Sequence, residues 1–199
     1  MDFEGKYYRL ERGKLLTPFL APDRTAPEIY VSGQSEAGQR LAFSQASCWL
    51  RLIDTPEKLT PPVAHFREHG VEVCLRLCVI CRKSREEATE AAMSMLPDEN
   101  ISKEERGILS RSDSQTLKQA LAAADNVGWL NRNLWAGLVP YYGSSAITLL
   151  GSPDELAEIF LEYKRIGVTQ FIIAGWPKLD EMLIFGRDVL PLIRSAEGR

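Results

Sequence analysis

Between Gly151 and Leu192 the apolar positions recur first at three- and four-residue spacing and then close into a continuous run. That change of period predicts a helix, a strand and a second helix in sequence. Ser152 suits the N-cap, Pro153 the first helical position and Asp154 the positive helix end, while Glu155 stands three residues after the cap in a capping-box arrangement. Leu156, Ile159, Phe160 and Tyr163 form the apolar stripe. The helix is expected to stop at Gly167, which tolerates a left-handed cap. Val168 to Ala174 contains the compact run Phe171 to Ala174, expected to be a strand covered on both faces. Gly175, Trp176 and Pro177 follow, placing an aromatic side chain in a loop at the carboxyl end of that strand, where α/β folds bind ligands.

Upstream, shorter apolar segments alternate with helical ones. Met1 to Lys14 reads as an edge strand or hairpin arm, and Pro18, Pro22 and Pro27 mark an extended connection. Glu28 to Ser32 reads as a strand, and Gly33 to Gly38 opens a helix with Leu41, Ala42 and Ala46 on its apolar face. Cys48 to Ile53 is the next strand, followed by a turn and helix start from Asp54 to Glu57. Val71 to Arg82 alternates, with Glu72, Cys74, Arg76 and Cys78 on one face and Val71, Val73, Leu75, Leu77 and Val79 on the other. Ser84 to Ala92 is a capped helix. Met95 to Ser114, with Pro97, Asn100 and Gly107, is an irregular excursion, and Ser114 to Trp129 is helical. Four strands with helical connections define an α/β chain.

Composition narrows the class. With 45% hydrophobic residues, the 199-residue chain can bury the core of one domain. A net charge of -3 argues against broad attraction to nucleic acid or anionic membranes. No apolar run approaches the roughly 20 residues of a membrane span, and the charged start MDFEGKYYRLERGK lacks a signal-peptide core. A cytoplasmic location is the resulting expectation.

Three residue groups carry candidate chemistry. The strand, Gly33-Gln34-Ser35 turn and helix can receive an anion on free backbone N–H groups. The same residues also make a plain βα turn with Ser35 as N-cap, and both readings stand. His65 and His69 share a helix face, but no third ligand accompanies them, so no metal is expected. Cys74, Cys78 and Cys81 have the spacing of a radical iron–sulfur motif. On a strand rising about 3.3 Å per residue, Cys74 and Cys78 stand about 13 Å apart, too far to share a cluster, which leaves them as small core side chains.

The chain resembles the bacterial-luciferase-like flavin monooxygenases, most of all their two-component alkanesulfonate monooxygenase branch. The resemblance is carried by Gly151 to Ala157, Gly167, Phe171 to Pro177, Phe185-Gly186 and Leu190-Pro191-Leu192. In that family a phrase like Asp2 to Lys6 lies after the first half of the barrel. The resemblance therefore implies the C-terminal half of a (β/α)8 TIM barrel: one domain over 1–199, with a helical lid insertion at 83–150. It also implies a reaction, the oxygenation of a small organic substrate such as a sulfonate by dioxygen and reduced FMN (FMNH2) from a separate flavin reductase. Gly33, Gln34 and Ser35 fall on the family's flavin-phosphate turn, and Arg76 on the arginine of its Arg-x-His strand. Cys78 falls on that histidine, Tyr142 on a lid arginine, Trp176 on the tyrosine of Ser-Gly-Tyr-Pro, and Leu52 near a substrate-side tryptophan. Asn133 to Gly137 matches a helix start, and Gly143 to Gly151 a flexible glycine-rich approach. A non-catalytic flavin binder, or a barrel-completing partner subunit with a degenerate site, is the alternative. Open sheet edges lead us to expect a homo-oligomer or pairing with a complementary N-terminal half-barrel.

Overall fold

A computed structural model describes residues 1–14, 27–97, 111, 113–125 and 128–198. Pro18, Pro22, Asn100 and Gly107, and with them most of two expected connections, lie outside those residues. The N-terminal stretch forms a small antiparallel hairpin of β1 (Phe3–Glu4) and β2 (Arg9–Leu10). The main sheet contains the four expected strands β3 (Tyr30–Ser32), β4 (Cys48–Leu52), β5 (Glu72–Cys81) and β8 (Gln170–Gly175), paired in parallel in the order β3-β4-β5-β8.

β5 is the spine because its ten residues serve three neighbours. Its first half pairs with β4 through Glu72 to Arg76, and its second half pairs with β7 (Thr148–Gly151) through Cys78 to Cys81. β8 takes the opposite edge along Cys74 to Val79. The odd face of β5, Val73, Leu75, Leu77 and Val79, is buried under helices that include α2 (Pro56–Glu68) and α3 (Arg85–Met93), as alternation requires of a strand with one apolar side. The even face looks into the concavity. There Tyr30 donates to Gln170 Oε1 at 2.6 Å, and Gln170 in turn donates to Glu72. This polar bridge ties the two outer strands together and shows how strongly the sheet curls.

The Gly33 helix becomes α1 (Glu36–Gln45). Its core contacts are Ala42 and Phe43, and Leu41, expected on the apolar face, is exposed. Phe43 stacks on Phe66 of α2 at 4.1 Å, and Phe66 stacks on Trp49 of β4 at 4.0 Å. Phe66 is fully buried, so Phe66→Ala removes the middle ring and leaves a cavity. The expected loss is about 3–5 kcal/mol of folding free energy by urea denaturation, and a loss below about 1 kcal/mol would show that the stack does not hold α1 and α2 to the sheet.

Two corrections concern the segment before α6 (Pro153–Arg165). Leu134 and Trp135, expected at a helix start, form the short strand β6, which pairs antiparallel with β7. β7 itself lies where a flexible approach was expected, and all four of its residues are buried. Its signal is faint because a fully buried strand has no alternation. Helix α4 (Gln115–Ala124), capped by Ser114, ends short of Trp129. α5 (Val139–Tyr142) follows β6.

α6 carries the capping box: the Glu155 N–H donates to Ser152 Oγ, and the Ser152 N–H donates to Glu155 Oε2 at 3.0 Å. Leu156, Ala157, Phe160 and Tyr163 form its buried face. The strand after it is only half covered. Ile172, on the concave side of β8, is 44% exposed, so the expectation of cover on both faces fails there. Beyond β8 run α7 (Lys178–Ile184), a π turn at Phe185–Val189 and α8 (Leu190–Ala196).

Candidate functional site

The carboxyl ends of β3 and β4 and the middle of β5 border a cavity of about 270 Å³, near the position at which α/β sheets place ligands. Its lining includes Ser32, Gly33 and Gln34 from the β3 turn, Arg51 and Leu52 from β4, and Arg76 from β5. Thr116 of α4 and Ser144 contribute hydroxyls from above. Gly33 has φ +132°, a conformation that L side chains rarely adopt, and its carbonyl accepts from Trp49 Nε1 at 2.9 Å. Arg51 donates through Nη2 to Gln34 Oε1 at 3.3 Å. Ser35 is turned to the helix instead, where its Oγ accepts from the Gly38 N–H at 3.2 Å as the N-cap of α1.

Cys78 points to the same concave face as Arg76, one pleat further along. It is buried, its Sγ donates to Ser145 O at 3.2 Å, and burial pushes its thiol pKa up, against smaller lowering by Trp176, Arg76 and Lys178. A thiol held that way is a poor nucleophile. Trp176 follows β8, with its ring 5.2 Å from that of Tyr142 and the Lys178 ammonium 5.2 Å from its centroid. Trp176 Nε1 is buried and has no hydrogen-bond partner of ordinary geometry among the described residues. The Tyr142 hydroxyl donates to Met95 O at 3.0 Å. The six other predicted residues thus fall into two neighbouring groups, Gly33, Gln34 and Arg76 around the cavity and Cys78, Tyr142 and Trp176 beside it. Ser35 serves the helix cap.

Three important residues are not evident from motif reading. Trp49 and Arg51 brace the Gly33 turn, and the available signal was a lone arginine near the carboxyl end of an apolar strand, CWLRLI. Glu181 of α7 is fully buried, accepts the Cys81 N–H at 3.0 Å and pairs with Arg82. Gly175 makes room for it: a Cβ there would lie 2.2 Å from Glu181 Cβ.

The cysteines sit in the sheet as packed side chains. All four are free and buried. Cys48 is pushed up first by its hydrogen bond with Cys74 and then by burial, and burial followed by the Glu181 carboxylate raises Cys81 to about 11. A raised folded-state value means that the folded protein holds its proton more tightly than the unfolded chain. Stability is therefore full below the ordinary thiol value of about 8.5 and falls as pH rises toward 11. We expect the urea midpoint to fall across that window, with a shallower decline in Cys81→Ala; parallel profiles would contradict the assignment. Among the described residues no three His, Cys, Asp or Glu side chains group as a metal site. His65 and His69 instead pack edge-on against Phe43. Nor is any described helix long and apolar enough to cross a membrane.

The same fold occurs in several solved structures. A riboflavin lyase with modified FMN and substrate riboflavin superposes with a TM-score of 0.70 at 19% identity, over 99% of this chain and 48% of that one. DmoA from Hyphomicrobium sulfonivorans gives 0.68 at 21% identity, covering 99% and 47%. An EDTA monooxygenase from Chelativorans sp. BNC1 gives 0.66 at 18%, covering 98% and 52%. The chain thus spans about half the length of these proteins, and its curved sheet corresponds to part of their TIM barrel. A sequence model described as luciferase-like monooxygenase matches residues 1–170. On the strength of that match, the chain belongs to the luciferase-like monooxygenase family.

Proposed function

We propose that this chain forms the C-terminal half of a reduced-flavin-dependent monooxygenase site acting on a small organic substrate, with an alkanesulfonate as the leading candidate. The observation that supports it best is the cavity beside the ends of β3 and β4, where Gly33, Gln34, Arg51 and Arg76 meet with no acidic residue among the described residues of the lining. The residues fit the phosphate end of FMN: the turn offers an open backbone at Gly33, and two arginines stand ready for the charge. Bound reduced flavin would supply the electrons that activate dioxygen, and a separate flavin reductase would furnish it. This chain's own part is to hold the cofactor at the β3 turn, to present Arg76 from β5 to an anionic substrate group, and to shield the concave face with the 83–150 segment acting as a lid.

The outer edges of β3 and β8 carry no partner strand among the described residues, and Ile172 and Tyr30 are exposed beside them. A complementary N-terminal half-barrel, or a second copy of the chain, would cover both edges. A second reading, a flavin-binding or barrel-completing subunit without turnover, draws support from Cys78 and Tyr142, whose donors are already engaged within the protein. Anaerobic calorimetric titration with reduced FMN tests the cofactor role. Weak binding by the chain alone, tightened at least about tenfold by a separately produced N-terminal half-barrel, is expected; no binding under either condition would refute it.

A further inference from the structure

Cys48 and Cys74 meet away from the Gly33 cavity, which neither of them lines. In the parallel register Cys48 stands level with Glu72 and Leu50 level with Cys74, so the two cysteines sit on neighbouring strands, two residues apart along the strand direction. Paired positions of a parallel sheet share a face, which puts both thiols on the concave side with Glu72 and Arg76. Each acts first on the other: contact with Cys74 pushes the Cys48 thiol up, and contact with Cys48 pulls the Cys74 thiol down. Their contacts with oxygen are weak. Cys48 Sγ reaches Trp49 O at 3.9 Å and Cys74 Sγ reaches Leu75 O at 4.0 Å, whereas Cys78 donates to Ser145 O at 3.2 Å. The bridge from Tyr30 to Gln170 begins level with Cys48 and ends level with Cys74, which accounts for their 1% exposure on an otherwise open face. Tyr30 and Ile172 beside them are exposed, so a small ion has a way in.

Geometry decides what can bridge the pair. One strand across and two residues along set the Cα atoms about 8 Å apart, beyond the roughly 7 Å that a disulfide spans without moving the backbone. An ion between the sulfurs asks for less approach: two metal–thiolate bonds of about 2.3 Å in line hold them about 4.6 Å apart, more than twice the length of a disulfide bond. The described residues group no third His, Cys, Asp or Glu ligand with the pair, which rules out a four-ligand zinc site among them. Two thiolates alone suit a soft ion, and of the common metals that is Cu(I).

We infer that Cys48 and Cys74 form a two-sulfur site for a soft monovalent cation, Cu(I), at the base of the concave face. Binding releases the two thiol protons to solvent, forms two copper–sulfur bonds and transfers no electron, leaving one net negative charge on the complex. Arg76, the next residue on that face of β5, supplies a cation, and Glu72 on the other side is engaged by Gln170. The test titrates the full, reduced chain anaerobically with Cu(I) against the coloured chelator bicinchoninate. One Cu(I) per chain should be withdrawn from the chelator, and Cys48→Ser and Cys74→Ser should each weaken the affinity at least about a hundredfold, since each removes one of two ligands. Should the serine variants fail to fold, Cys78→Ala/Cys81→Ala keeps only the pair and should still take one Cu(I), with two sulfur neighbours at one distance by copper X-ray absorption. Zn(II), which wants four ligands, should stay with a competing chelator. The site is overturned by no withdrawal of Cu(I), by unchanged affinity in a folded Cys48→Ser or Cys74→Ser chain, by loss of Cu(I) from Cys78→Ala/Cys81→Ala, by nitrogen or oxygen in the copper shell, or by Zn(II) held as tightly as Cu(I).

Discussion

Glu181→Leu should cost about 3–5 kcal/mol of folding free energy, because it breaks a buried ion pair from one side and leaves the other charge uncompensated. Glu181 is 0% exposed and has two partners on the β5 end, the Cys81 N–H and the Arg82 guanidinium. Removing the carboxylate orphans the buried Cys81 N–H and takes the counter-ion from Arg82, which keeps its hydrogen bond to Cys81 O at 2.6 Å. The contrast is Glu36, which pairs with Arg40 on the exposed face of α1, where such pairs contribute about 0–1 kcal/mol. Urea denaturation of Glu181→Leu beside Glu36→Gln separates the two cases. A Glu181→Leu value within about 1 kcal/mol of wild type would mean that α7 is not clamped to β5 by this contact.

Glu181 also shows where reading a sequence stops short. The acidic residues of KLDEMLI look like the solvated face of a helix, and nothing within a few positions says otherwise. Asp180 is indeed exposed, but the burial of Glu181 is decided by Gly175 six residues upstream and by Arg82, 99 residues away. Features with local causes were legible: the capping box of α6, the alternation of β5 and the Ser35 cap all depend on neighbours in the chain. β7 was missed because its pairing with β5 and β6 buries every residue and erases the period. The site was legible as far as parallel pairing sets the ends of β3 and β4 level with the middle of β5, which gathered Gly33, Gln34 and Arg76. Arg51 escaped because its role comes from the cavity it lines and from the Trp49 ring beside it, and neither has a motif.

The second large effect concerns turnover. Family members are expected to place a histidine, an arginine and a tyrosine where this chain has Cys78, Tyr142 and Trp176. Here those positions hold a buried thiol with a raised pKa, a phenol bonded to Met95 O and an indole lacking an outward hydroxyl. Loss of one preorganised donor commonly costs a factor of about a hundred, and losses within one site are not additive. The exposed side of β8 removes further shielding from water. The lost donors slow turnover whether or not the other half is present, by a factor of about a hundred or more, and because the open side of β8 is covered only in the joined protein, we expect turnover by this chain alone to be slower still. The competing expectation is that Tyr142 and Trp176, packed ring to ring, re-tune the site for a more apolar substrate, which would appear as preference for aldehydes over sulfonates.

The most direct measurement is a steady-state assay with a flavin reductase, FMN, dioxygen and a panel of sulfonates and aldehydes, run on this chain alone and with the added N-terminal half. Flavin-dependent product only when both halves are present is the predicted result; full turnover by this chain alone, or no product from the two together, would contradict the account.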